Sequence, residues 1–323
     1  MFRLFSDANY PFLQWRRKAY MVSALLLLAG VGSMVYNTVT TGSWLNYGVD
    51  FAGGTMVQIR FDQPVSIDQV RAANPGWQIT RFGDPQDNEF LIRTPTFSED
   101  LQIDAAEEAS QQLTSEFGEG AFQVVRTEAV GPKVGGELQE RALLAILISF
   151  VLTLIYIAFR FEWRFGVASI IATAHDIIIT LGFLAILRSE ISIGTVAAFL
   201  TIVGYSLNDT IIVFDRIREN LGKRIRGSVY LDVVNRSINE TLPRTVLTSG
   251  TTLATLTSLY LFGGAVIRDF ALVLILGIAI GTFSSIFVAS PALHAIESRW
   301  PRKTDKKSGS GAATNRRRET AVV

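Results

Sequence analysis

Residues 165–187 read FGVASIIATAHDIIITLGFLAIL and residues 193–214 read IGTVAAFLTIVGYSLNDTIIVF. Each has about the 20 apolar residues that a helix needs to cross a bilayer. Each also carries a polar pair where hydrocarbon would surround it. His175–Asp176 stands at the midpoint of the first stretch, and Asn208–Asp209 about six residues, or roughly 9 Å, from the end of the second. A charge at such depth costs roughly 2.5–3.5 kcal/mol on insertion scales, so these residues face a bundle interior and are read as functional.

Four further stretches have the same character: Ala19–Tyr36, Ala142–Phe159, Thr245–Phe262 and Phe270–Ala289. The expectation is a membrane α-helical protein with six transmembrane helices. Composition agrees: of 323 residues 49% are apolar and 18% charged, with mean hydropathy +0.30. That is too apolar for a soluble domain, and it excludes disorder for most of the chain. A net charge of +1 argues against nucleic-acid binding. Without cysteine, and with His175 and His294 alone, neither a disulfide, a thiolate nor a multi-histidine metal centre is expected. No phosphate-binding G-x-x-x-x-G-K-[ST] loop, H-E-x-x-H or Ser-His-Asp arrangement is present, so no enzyme and no cofactor are expected. Work done by such a chain would draw on an ion gradient, at about 2.3 kcal/mol per charge per 100 mV.

Lys and Arg set the orientation. With the N-terminus in the cytoplasm, 21 of the 30 Lys and Arg fall on cytoplasmic segments, and the long segment 37–141 carries seven. Both termini are therefore expected inside, and the first span is not read as a cleaved signal, because its apolar core is long and no A-x-A-like site follows. The expected domains are a cytoplasmic N-terminus (1–18), a first span (19–36), an extracytoplasmic domain (37–141), a five-helix bundle (142–295) with a cytoplasmic segment (215–244), and a basic disordered tail (296–323).

Within 37–141, Met56, Gln58 and Arg60 alternate with Val57, Ile59 and Phe61, the period of a half-buried strand. Further strands are read at Trp77–Phe82, around the turn Asp84–Asn88 to Glu89–Thr94, and at Phe122–Ala129, with helices at Ser66–Ala73 and Ser98–Glu116. The order β-α-β-β-α-β is that of an α+β ferredoxin-like domain. In 215–244, Tyr230, Val233, Val234 and Ile238 form one face of a helix opposite Asp232, Asn235 and Asn239, which reads as a helix along the membrane surface. Pro243 suits the first position of the fifth span.

That placement puts Arg244 at the depth of Asp209, so the two are expected to meet between neighbouring helices. Burial and a guanidinium act in opposite directions on a carboxylate's proton affinity, which would let Asp209 exchange protons as water access alternates. The proton path expected is Asp209, Arg244, Asp176 and Asn208, with His175, Thr248 and Ser249 as further candidates. A static buried ion pair, or an inter-helix hydrogen bond at Asp176, would account for the same residues structurally. Two acids against one Arg leave the bundle incomplete, so a second membrane chain is expected to pack there. Gly277-x-x-x-Gly281 would let another helix approach closely.

Several short stretches resemble the SecD/SecF protein-export family. They are Gly48-Val49-Asp50-Phe51-Ala52-Gly53-Gly54-Thr55, Val130-Gly131-Pro132-Lys133-Val134-Gly135, Phe159 to Arg164, Ala174-His175-Asp176, Gly204 to Asp209, and Arg244 to Thr252. The resemblance covers about residues 15–295, and in length, order and wording it matches the branch that pairs with SecD. Ala52 departs from it, at a position where a hydroxyl residue is expected. The resemblance implies membership of the resistance–nodulation–division superfamily, with SecD completing a twelve-helix bundle. It implies association with the SecYEG channel and use of the proton-motive force to promote late, extracytoplasmic steps of preprotein translocation across the cell (inner) membrane. It carries the family's transmembrane aspartate and arginine onto Asp209 and Arg244. It makes Gly48, Asp50, Phe51, Gly53 and Gly54 a structural motif. Two other readings fit the residues: a six-span half of a proton-coupled small-molecule exporter, and a non-transporting membrane assembly factor.

Overall fold

The computed structural model describes residues 8–73, 77–83, 85–94, 102–223 and 229–300. Along the chain the elements are α1 (Arg16–Thr41), β1 (Asn46–Tyr47), α2 (Val49–Ala52), β2 (Gly54–Phe61), α3 (Ile67–Ala73), β3 (Gln78–Phe82) and β4 (Glu89–Thr94). They continue with α4 (Gln102–Phe117), β5 (Phe122–Val130), α5 (Pro132–Arg160), α6 (Trp163–Leu187), β6 (Glu190–Ile191), α7 (Ile193–Gly222), α8 (Tyr230–Phe262), α9 (Ala265–Ser284) and α10 (Ser290–Arg299). Ser285–Ala289 joins the last two as one turn of π-helix. The serine expected to cap α4 and the part of the expected tail after Trp300 lie outside the described residues, while residues 296–299, expected in that disordered tail, end α10 with Ile296 and Glu297 buried.

Among the described residues, five helical segments are long and apolar enough to cross a membrane: Arg16–Thr41, Lys133–Ile157, Trp163–Leu187, Ile193–Gly222 and Ile267–Arg299. This is a multi-pass membrane protein. The remaining expected span, Thr245–Phe262, forms the second half of α8 but is less apolar than those five, because threonine and serine recur along it.

The structure corrects the expected helix boundaries here. Pro243 lies inside α8 rather than at a helix start, so the surface helix and the fifth span are one helix of 33 residues. Val234, Ile238 and Leu242 are buried in a single apolar cluster with Phe165, Phe214 and Leu293, and this packing carries the helix through the proline. Asn235 and Asn239, expected on the outward face, instead hold the N-terminal segment: both side-chain amides donate to the Tyr10 carbonyl at 2.9 Å. Likewise α7 runs past the expected end of the fourth span, Phe214, to Gly222.

Two close approaches set the bundle. A Cβ at Gly30 of α1 would come 2.7 Å from the Cα of Gly182 on α6. A Cβ at Gly277 of α9 would overlap the Ile202 side chain of α7, and one at Gly281 would press on Ser206. The glycine pair of α9 thus brings two helix axes together.

Between α1 and α5 in the chain lies a four-stranded antiparallel sheet, order β3-β4-β2-β5. Val57, Ile59 and Phe61 of β2 and Phe90 and Ile92 of β4 point to one face, where Val70 of α3 and Ala109 and Leu113 of α4 complete an apolar core. A bulge in β2 between Gln58 and Ile59 shifts its register with β5.

The α7–α9 contact is testable. Gly277→Val should lower stability by about 1–3 kcal/mol through overpacking. Adding Ile202→Ala should recover most of it in thermal unfolding of the purified chain. A Gly277→Val protein as stable as the parent would refute the packing described.

Candidate functional site

Two carboxylates sit inside the helix bundle, and both are 0% exposed. The first is Asp176 on α6. Its Oδ2 accepts from the Ser206 hydroxyl of α7 at 2.6 Å and from the Ser284 hydroxyl of α9 at 2.7 Å. Its Oδ1 lies 3.0 Å from Nδ1 of the adjacent His175. The second ring nitrogen of His175, Nε2, is buried and has no hydrogen-bond partner among the described residues. Asp176 therefore joins three helices through one carboxylate. Ser284 is the residue at which α9 passes into its π turn, a local irregularity frequent at functional sites.

The second carboxylate is Asp209 on α7. Its Oδ2 accepts from Ser249 of α8 at 3.1 Å, and the Ser249 hydroxyl in turn lies 2.8 Å from Thr282 Oγ1 of α9. Its Oδ1 is buried without a hydrogen-bond partner among the described residues. Ser206 and Asp209 are three residues apart on one helix, about 4.5 Å along its axis, so the two carboxylates occupy neighbouring levels of the same interior. Among the described residues, no Lys or Arg lies within 4 Å of either.

The expected site residues thus divide. Asp209 meets Ser249, and Asp176 meets His175. Arg244, expected beside Asp209, is exposed on α8 and within electrostatic reach of Asp209 but forms no ion pair with it. Asn208 faces out of the bundle on α7, into a cavity of about 420 Å³ shared with Leu152, Thr153 and Tyr156 of α5. Thr248 donates to the Arg244 carbonyl of its own helix at 3.0 Å. Depth gave the level of these residues, and the rotation of each helix decided their partners. Ser206, Ser284 and Thr282 were not expected. Their only signal is their spacing: Ser206 precedes Asp209 by one turn, and Thr282 and Ser284 flank each other near Gly281.

A third constellation joins the sheet domain to the bundle. Gly53 and Gly54 take successive positive φ angles of 72° and 106°, which other L residues rarely adopt. This pair turns the chain from α2 into β2. Gly48 packs against the Glu190 side chain, with room for no Cβ, and its amide donates to the Ile191 carbonyl at 2.9 Å. Asp50 accepts from the Ile193 amide at 2.9 Å, at the N-terminus of α7, where a carboxylate suits the helix dipole. The Phe51 carbonyl accepts from Gln139 of α5 at 2.8 Å, and Gly135 packs against that same carbonyl. From the sheet, Arg93 of β4 pairs with Glu190 at 2.7 Å and donates to the Tyr47 carbonyl at 3.1 Å. Burial pushes the Glu190 carboxyl above its usual range, and Arg93 pulls it part of the way back.

Comparison with known proteins bears on both constellations. Residues 109–299 match the family model for the C-terminal region of the protein export membrane protein SecD/SecF. Residues 39–65, which contain the glycine pair, match the SecD/SecF GG motif. A protein translocase subunit SecF from Gemmatimonas aurantiaca is 44% identical, covering 98% of each chain. The SecF subunit of Escherichia coli O157:H7 is 39% identical over 87% of this chain and 86% of its own. The crystal structure of SecDF from Thermus thermophilus, a translocon-associated membrane protein, superposes with a TM-score of 0.80 at 40% identity. The match covers 92% of this chain and 40% of that one. The matched stretches include the GG turn and the four helices around the two carboxylates, and this chain belongs to the SecD/SecF protein-export membrane protein family, among the SecF subunits of the protein translocase.

Proposed function

We propose that this chain works with SecD as a proton-coupled unit that promotes late, extracytoplasmic steps of preprotein translocation through SecYEG. The observation that carries the reading is Asp209: a fully buried carboxylate with one oxygen on a serine hydroxyl and, among the described residues, no partner for the other oxygen and no cation in contact. An unpaired carboxylate is costly to bury, so such a group is favoured where it changes charge state in use. The hydroxyls of Ser249 and Thr282 and the Asp176–His175 pair are the neighbouring groups that can pass or hold a proton. Arg244 and Asn208 face away from this interior, toward where a second bundle would pack.

The wider architecture follows. α8 supplies the sixth span, with Ser249 turned toward Asp209. The five-helix bundle takes 142–295, with 215–244 on the cytoplasmic side together with both termini, a placement that the Lys and Arg distribution supports. Segment 37–141 is a ferredoxin-like domain outside the inner membrane. Its β-α-β-β-α-β order and the sheet order β3-β4-β2-β5 support that assignment. The exposed apolar surface of α5 supports a SecD bundle beside it: only 6% of its spanning window is buried within this chain.

Cells with Asp209→Asn as the sole copy should accumulate precursor of a secreted protein at normal levels of the variant. Undisturbed export would contradict the proposal. Ser206→Ala combined with Ser284→Ala removes both donors to one oxygen of Asp176 and should destabilise the purified chain by about 1–3 kcal/mol in thermal unfolding. An unchanged midpoint would show that those hydrogen bonds hold nothing.

A further inference from the structure

At the end of the bundle remote from the sheet domain, residues 10–15 run along the start of α8 before α1 begins. The Tyr10 amide donates to Asn239 at 2.8 Å, and the Leu13 amide donates to Asn235 at 3.4 Å. These bonds fix a cavity of about 490 Å³ between the first turns of α1 and α8. Arg16 and Arg17 line it, and neither is in an ion pair with a described residue. Asp232 lines it too, more than 4 Å from either guanidinium. Leu13, Val229 and Leu231 supply apolar wall. Among the described residues, no side chain caps the N-termini of the two helices that open here, which adds positive potential to the guanidinium pair.

We propose that this cavity binds a phospholipid headgroup, resting on the reading of α1 as a membrane span. Arg16 and Arg17 begin that span, so they stand at the level where headgroups lie. The phosphate is the anion they accept, by charge-assisted N–H···O bonds. Asp232 adds selectivity. It accepts from an N–H or O–H donor, so the headgroup alcohol is ethanolamine or glycerol and not choline, which has no such donor. The acyl chains leave along the exposed apolar face of α1, where Leu25 and Leu28 are 67% and 73% exposed. A free phosphate would use the arginines but not the apolar wall or Asp232.

The test is lipid retention by the full chain, measured by native mass spectrometry after release from phosphatidylcholine nanodiscs doped with phosphatidylethanolamine or phosphatidylglycerol. The doped lipids should be retained over phosphatidylcholine. Arg16→Gln with Arg17→Gln should weaken retention about tenfold or more, the loss expected for charge-assisted bonds. Arg141→Gln, on α5 away from the cavity, should not. Asp232→Asn keeps the arginines and should reduce the preference for ethanolamine over choline, which tests the site even if the double variant folds poorly. Equal retention of phosphatidylcholine, retention unaffected in the double variant, or protection against thermal unfolding by inorganic phosphate equal to that by lipid would each overturn the proposal.

Discussion

Two carboxylates buried among hydroxyls, with no cation in contact among the described residues, constrain the rest of this bundle. A buried carboxylate is tolerable only where hydrogen-bond donors reach it. Here the hydroxyl donors come from helices other than the one that carries the acid. Ser206 and Ser284 reach Asp176, and Ser249 reaches Asp209. Donors as short as serine reach across only when helix backbones are close. The glycines of α9 provide that approach, since a Cβ at Gly277 or Gly281 would strike Ile202 or Ser206 on α7. Small residues and buried acids are thus one design: the first makes the contact in which the second survive.

The sheet domain is mechanically joined to the same helix. Asp50, in the turn that leads to the glycine pair, accepts from the first amide of α7, and α7 carries Ser206 and Asp209. Arg93 of the sheet grips Glu190 and Tyr47 beside that helix start. The helix that carries the carboxylates thus begins where the domain attaches. No flexible linker intervenes, because α2, the glycine turn and β2 follow one another without a loop.

Much of this was legible in the sequence. Hydropathy alone placed five spans, and the period-two alternation of Met56 to Phe61 placed the central strand with its buried face. Asp176 and Asp209 were conspicuous because a charge in an apolar run costs several kcal/mol and must be compensated. Their partners were less visible. Ser206, Thr282 and Ser284 are ordinary residues in a membrane helix, and their importance arises from helix rotation. Arg244 shows the same limit: it was expected beside Asp209, and the α8 residue that meets Asp209 is Ser249, five positions further along. Pro243 misled as a helix start, since burial of Val234, Ile238 and Leu242 holds α8 together through a residue that ends many helices.

The central claim is that Asp209 gains and loses a proton inside the bundle. Infrared difference spectroscopy of the SecD-containing complex in lipid, between acid and alkaline external pH, tests it most directly. The expected result is a carboxylic-acid carbonyl band that appears with acidification, shifts in Ser249→Ala, and is absent in Asp209→Asn. An identical difference spectrum in Asp209→Asn would contradict it and leave that carboxylate as a fixed polar strut between α7 and α8.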